Sequence, residues 1–211
     1  MRRLPVYILI QISGAMRGEP IEAIKVGLET LVASLRQDPF ALESVHLSVI
    51  TFNRHPEQIL PLTELENLQI PTIKQPEAGG THLGEALDFM CQKIDSEVMQ
   101  STPERKGDWM PLLFIMCNGK VSDVQLFSDA VKKIKQRNFG SIVVCLVGAK
   151  PNTENVKQFT DKIVNLETTD GSTFKQFFKW VSASVSVGNK SVGATDEIIL
   201  PPPPPEVHNI I

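Results

Sequence analysis

The sequence predicts an α/β domain built on a doubly wound, mostly parallel sheet with helices on both faces, three layers in all. Apolar runs at residues 4–10 and 112–116 read as buried strands, the first of them covered on both faces, and residues 45–52 and 142–147 read as further strands. Between them lie stretches whose apolar residues recur at helical spacing, and such alternation implies parallel strands joined by right-handed crossovers. The length of 211 residues suits one domain with an appendage. A core of that size needs no disulfides.

The elements follow in order. The first strand, Leu4 to Ile10, ends in a small-residue loop, and a helix starts near Pro20, where proline suits a first turn. Ile21, Ile24, Leu28, Leu31, Val32 and Leu35 form its apolar stripe, which stops before Asp38 and Pro39. Val45 to Phe52 is the second strand, with a short edge strand at Ile59 and Leu60. Residues 61–76, punctuated by prolines, read as irregular. Gly79, Gly80 and Thr81 lead into a helix carrying Leu83, Ala86, Leu87, Met90, Cys91, Ile94 and Val98. A strand at Leu112–Met116 precedes a helix carrying Val124, Phe127, Ala130, Val131 and Ile134. A strand at Ile142–Val147, a short helix near Glu154–Phe159 and a strand at Ile163–Leu166 follow. The last helix spans roughly Asp170–Val187, so the globular domain is set at residues 1–187.

Residues 188–211 read as a flexible tail in which Pro201–Pro205 form an extended left-handed segment of about 15 Å. A sharper reading makes this tail a strap whose exposed Ile198, Ile199 and Leu200 dock into a partner's groove.

Composition narrows the function. A net charge of −3 and a pI near 5.8 provide no basic footprint, so nucleic acid is not an expected partner. No stretch approaches the ~20 apolar residues of a membrane span. The N-terminal run breaks at Gln11 and reads as a strand, not a leader. Cys91, Cys117 and Cys145 sit in separate apolar runs, which suggests buried thiols in a reducing, cytoplasmic setting.

No catalytic motif stands out. The loop after the first strand lacks dinucleotide-binding glycine spacing, and Asn118-Gly119-Lys120 lacks the upstream glycine of a phosphate loop. His46, His55, His82 and His208 show no metal-ligand spacing. Ser13 or Cys117 as a hydrolase nucleophile has no visible base. Trp109 is either a lid on the core or an interface anchor, and Trp180 reads as packing. The expectation is a binding module, not an enzyme. In a doubly wound sheet its site belongs at the carboxyl ends of the strands.

Three segments at that end carry a resemblance. Gln11-Ile12-Ser13-Gly14-Ala15-Met16 resembles the Asp-x-Ser-x-Ser metal loop of von Willebrand factor A domains. Gly79-Gly80-Thr81 resembles the segment supplying that family's metal-ligating threonine, and Cys117-Asn118-Gly119-Lys120 stands where the family has Thr-Asp-Gly. Residues 17–21, 35–39, 104–109 and 176–182 are further similar to TerY proteins of tellurium-resistance clusters. The resemblance implies a cytoplasmic adaptor working beside phosphatase- and kinase-like proteins in a stress response.

The same comparison marks Gln11, Ser13, Ala15, Thr81 and Asn118 as the metal-site positions, of which only Ser13 and Thr81 keep a matching ligand. Asn53 likewise stands where TerY-like sequences often carry an aspartate. Magnesium usually needs one or two carboxylates, so no metal cofactor is expected. The alternative is a regulatory module whose weak magnesium or manganese site is completed by a partner, or by Asp123, Glu85 or Asp88 nearby. Asp123 reads equally as a residue favoured by a helix dipole. Ser13, Gly14, Met16, Arg17, Gly80, Thr81, Asn118 and Lys120 are the expected partner-binding residues of the loops.

Overall fold

Eight consecutive buried residues, Leu4–Gln11, form the central strand β1 of the computed structural model. The structure describes residues 2–12, 14, 18–74, 79–148, 150–166, 170–191, 200–205 and 207–210. Beyond β1 the order is α1 (Glu19–Arg36), α2 (Pro39–Ser44), β2 (Val45–Phe52), β3 (Pro56–Glu64), α3 (Leu83–Glu97) and β4 (Leu112–Cys117). It continues with α4 (Val124–Lys135), β5 (Ser141–Val147), α5 (Thr153–Val156), β6 (Ile163–Leu166), α6 (Gly171–Ser191) and β7 (His208–Ile210).

The seven strands form one sheet in the order β3-β2-β1-β4-β5-β6-β7. The five inner strands are parallel, while β3 and β7 run antiparallel at the two edges. Side chains on a strand alternate between faces, so the unbroken apolar run of β1 feeds two cores. Val6, Ile8 and Ile10 pack with α1, α2 and α6, whereas Tyr7 and Leu9 pack with α3 and α4. These are the three layers expected. From β1 the chain builds outward through β2 on one side and β4 on the other, so β1 and β4 flank the point where strand order reverses. A crevice at the carboxyl ends of those two strands is the usual consequence.

Several details differ from the sequence reading. Asp38 and Pro39 end α1 but also start α2: Asp38 Oδ1 accepts from Phe40 N at 3.0 Å, with proline in the first turn. β3 is nine residues long and carries Pro61, which an edge strand tolerates because one side of its ladder is unpaired. After it, Leu65, Leu68 and Ile73 are buried, and Arg36 holds the segment by donating to Leu65 O at 2.8 Å and Leu68 O at 2.6 Å. The short helix α5 ends at Val156, while α6 runs on to Ser191.

The segment assigned to a flexible tail is in part built into the domain. Leu200 packs on the α1–α6 core, Val207 is buried, and β7 pairs with β6. Apolar side chains and an unpaired sheet edge explain the return, since each removes surface or backbone groups from water. Leu200 therefore faces its own domain, not an outside groove. Ile198 and Ile199 lie outside the described residues.

At the opposite end of the sheet, Arg3 donates to the Asp108 carboxylate, whose side chain is 1% exposed. Arg2 lies 3.5 Å from the centre of the Trp109 ring, so that tryptophan finds cover within its own domain.

Candidate functional site

Gln11 ends β1, and its side chain joins the approach to α3 with the turn after β4. Its Nε2 donates to Thr81 Oγ1 at 3.1 Å, and its Oε1 accepts from Asn118 N at 2.9 Å. The residue is only 5% exposed. An amide can do both at once because it carries a donor and an acceptor on one planar group. Asn118 in turn accepts from Lys120 N at 2.9 Å through its own side chain, which fixes the turn after β4.

The turn is clamped from the far side as well. Asn152 N donates to Asn118 O at 3.0 Å, and Asn155 Nδ2 donates to Gly119 O at 2.9 Å. Gly119 has φ of 71°, and a Cβ there would collide with Asn152 O. Only glycine fits. Asn152 is itself held as the cap of α5, accepting from Glu154 N at 3.1 Å.

On the α3 side, His82 N donates to Asn53 O at 2.8 Å and Ser122 N donates to Thr81 O at 3.1 Å. These bonds tie the ends of β2, the approach to α3 and the approach to α4 together. Asp123 accepts from Gly84 N at 3.2 Å and Glu85 N at 2.7 Å. Its carboxylate thus caps α3 while sitting at the start of α4. That geometry favours a negative charge at free helix N–H groups. Gly84 lets the two helices approach, since a Cβ there would overlap the Phe127 backbone.

Glu85 lies between two imidazoles, with Oε1 3.0 Å from His55 Nδ1 and Oε2 3.3 Å from His82 Nδ1. The hydrogen bond with His55 holds its carboxyl below the ordinary range, partial burial opposes this, and His82 adds to the lowering. Asp88 pairs with Lys133 instead of facing the loops. Sequence reasoning left His55, His82, Asn152 and Asn155 out of the site. The cap pattern of Asn152 before Thr153 and Glu154 was the available signal; the histidines offered none.

Of the expected site residues, Gln11, Thr81 and Asn118 come together in direct hydrogen bonds, with Lys120 attached through its backbone. Gly14 and Gly80 are exposed at the same end. Ser13, Ala15, Met16 and Arg17 lie outside the described residues. Cys117 is wholly buried, and burial pushes its thiol up to about 12.

The von Willebrand factor type A domain profile matches residues 6–180. The chain belongs to this family. Solved structures with the same fold include a von Willebrand factor type A protein from Catenulispora acidiphila, with a TM-score of 0.63 and 14% identity over 88% of this chain and 43% of that one. Proximal thread matrix protein 1 from the mussel byssus has a TM-score of 0.61 and 14% identity, covering 86% and 48%. The ArnB paralog VWA2 from Sulfolobus acidocaldarius has a TM-score of 0.57 and 19% identity, covering 87% and 45%. This A domain thus spans less than half of each of those three chains. No curated protein matches its sequence.

A domains commonly carry a divalent cation at this end of the sheet, where this chain places the Gln11 and Asn118 amides. The Gln11 amide points an N–H at Thr81 Oγ1, where a metal-site carboxylate would offer a lone pair to the ion. The side-chain oxygens of Gln11 and Asn118 accept backbone N–H bonds, and both Asp123 oxygens accept from α3. Among the described residues no group of three His, Cys, Asp or Glu side chains is placed to hold a metal. No helix among them is long and apolar enough to cross a membrane.

Proposed function

We propose that this A domain is a non-enzymatic adaptor that binds other proteins through the loops at the carboxyl ends of its strands, without a bound metal. The observation that carries the reading is the Gln11 bridge between Thr81 and Asn118. It joins the loops with neutral hydrogen bonds, so a partner meets a surface already shaped without an ion. Pre-formed loops also lower the ordering cost of association. The buried, proton-holding Cys117 supports a non-catalytic reading, because the thiolate is the reactive form.

The similarity of residues 17–21, 35–39, 104–109 and 176–182 to TerY proteins supports a place in a cytoplasmic tellurium-resistance or stress-response system. Phosphatase- and kinase-like proteins of that system are the proposed partners.

Calorimetric titration with magnesium and manganese tests the metal-free site. The native chain should give no binding heat at micromolar metal, whereas the triple variant Gln11→Asp, Ala15→Ser, Asn118→Asp should acquire binding. Micromolar affinity in the native chain would refute the reading. Binding of the phosphatase- and kinase-like candidates should survive a chelator, and its loss in chelator would show that an ion is needed.

A further inference from the structure

The chain's own proline segment runs from Trp180 of α6 to the open edge of β6. Trp180, on α6 and 7% exposed, donates from Nε1 to Pro201 O at 2.9 Å. The Phe177 ring lies beside it, with centroids 6.0 Å apart. Leu200 packs on the same core at one end of the segment. At the other end Val207 is 2% exposed, and its N–H donates to Pro204 O at 2.8 Å, turning the chain into β7.

Between those anchors the burial pattern is periodic. Pro201, Pro203 and Pro204 are half-buried, whereas Pro202 and Pro205 are exposed. The exposed pair is one turn apart in a left-handed polyproline helix, which repeats every three residues. Proline offers no N–H, so such a segment is gripped only through its carbonyls and ring faces. The indole N–H aimed at the Pro201 carbonyl supplies the carbonyl grip. The same chemistry lets aromatic-lined grooves read proline-rich ligands in other folds.

We propose that the α6–β6 groove is a polyproline-recognition site, filled in cis by Leu200–Pro205 and able to take a proline-rich segment of another protein in its place. The strap is suited to exchange. Three residue pairs between β6 and β7 close its far end, and short edge pairings open at low cost. Its tether keeps it at high effective concentration, so a trans ligand competes well only after the tether is cut.

The test uses the full chain with a protease site inserted between Ala194 and Thr195. A fluorescent peptide of sequence 198–207 is titrated by anisotropy against cut and uncut protein. The cut protein should bind at least tenfold more tightly than the uncut protein. Trp180→Phe, which keeps a ring but removes the N–H, should weaken binding to the cut protein at least tenfold. So should replacing the five prolines of the peptide by alanine.

Equal binding by cut and uncut protein would overturn the cis occupancy. An alanine peptide that binds as well as the proline peptide would overturn polyproline recognition. If the cut protein loses its fold, hydrogen exchange on uncut chains decides. Trp180→Phe should speed exchange at Val207 N and in β7 at least tenfold, and unchanged exchange would sink the proposal.

Discussion

Gln11→Glu isolates the role of the amide, because it changes charge at nearly constant shape. Gln11 is 5% exposed, so a carboxylate there loses most of its hydration, which raises its pKa. Asn118 N and the Thr81 hydroxyl can both donate to it, which offsets part of that loss. A net rise of about one to two pK units over an unfolded value of about 4.3 converts, at 1.36 kcal/mol per unit, to about 1.4–2.7 kcal/mol. A carboxyl raised in the folded state is fully tolerated below the unfolded pKa and loses stability as pH rises toward the folded one. Near pH 4 the protonated variant should therefore match the native chain. Near pH 8 it should be less stable by the full amount. Urea unfolding in chelator at both pH values measures the difference. A variant within about 0.5 kcal/mol of the native chain at pH 8 would refute the idea that this position depends on a neutral donor.

Three further outcomes follow from contacts elsewhere. Asp123→Ala removes the acceptor for Gly84 N and Glu85 N and should cost about 1–2 kcal/mol, as loss of a helix cap does; urea unfolding measures it. Arg3→Met leaves the Asp108 carboxylate, 1% exposed, with Met99 N as a donor but no counter-charge. Uncompensated buried charge costs 3–5 kcal/mol, and partial exposure of Arg3 brings the expectation to roughly 2–3 kcal/mol in the same assay. Burial raises the thiols of Cys91 to about 11 and Cys117 to about 12, and it holds Cys145 well above the ordinary thiol range. Native protein at pH 8 should resist iodoacetamide, and all three cysteines should label in denaturant, read by mass spectrometry.

The sequence was most legible where a local pattern meets a burial rule. β1 and β4 end within a residue of their apolar runs, because a strand covered on both faces is apolar along nearly its whole length, and β2 matches residues 45–52 although His46, Ser48 and Thr51 interrupt its apolar pattern. The site was legible in part. Gln11, Thr81 and Asn118 could be named from loops that follow strands, and they do meet. What was not legible depends on distance along the chain. Asp123 serves α3 from the start of α4, thirty-eight and thirty-nine positions from its two donors. His55 reaches Glu85 only because the end of β2 lies beside the approach to α3. The tail was misread for a similar reason. Five prolines describe an extended shape, but neither the Trp180 N–H nor the open β6 edge that holds it is visible in the segment's own composition.

The chemistry at the switch point gives a reason for the glutamine itself. A carboxylate accepts hydrogen bonds but cannot donate one. With an aspartate at this position, the Thr81 hydroxyl and Asn118 N–H would both be donors to one anion in a nearly closed space. That arrangement invites a cation to balance the buried charge. With glutamine the same two groups are bridged at zero net charge, one by donation and one by acceptance. Two carboxylates of the neighbouring elements are engaged elsewhere, Asp123 on the N-terminus of α3 and Glu85 between two histidines. Restoring one aspartate alone should therefore destabilise the loops before it recruits an ion. Metal affinity should appear only when the hydroxyl and second carboxylate are restored with it, which is why the triple variant is the informative one.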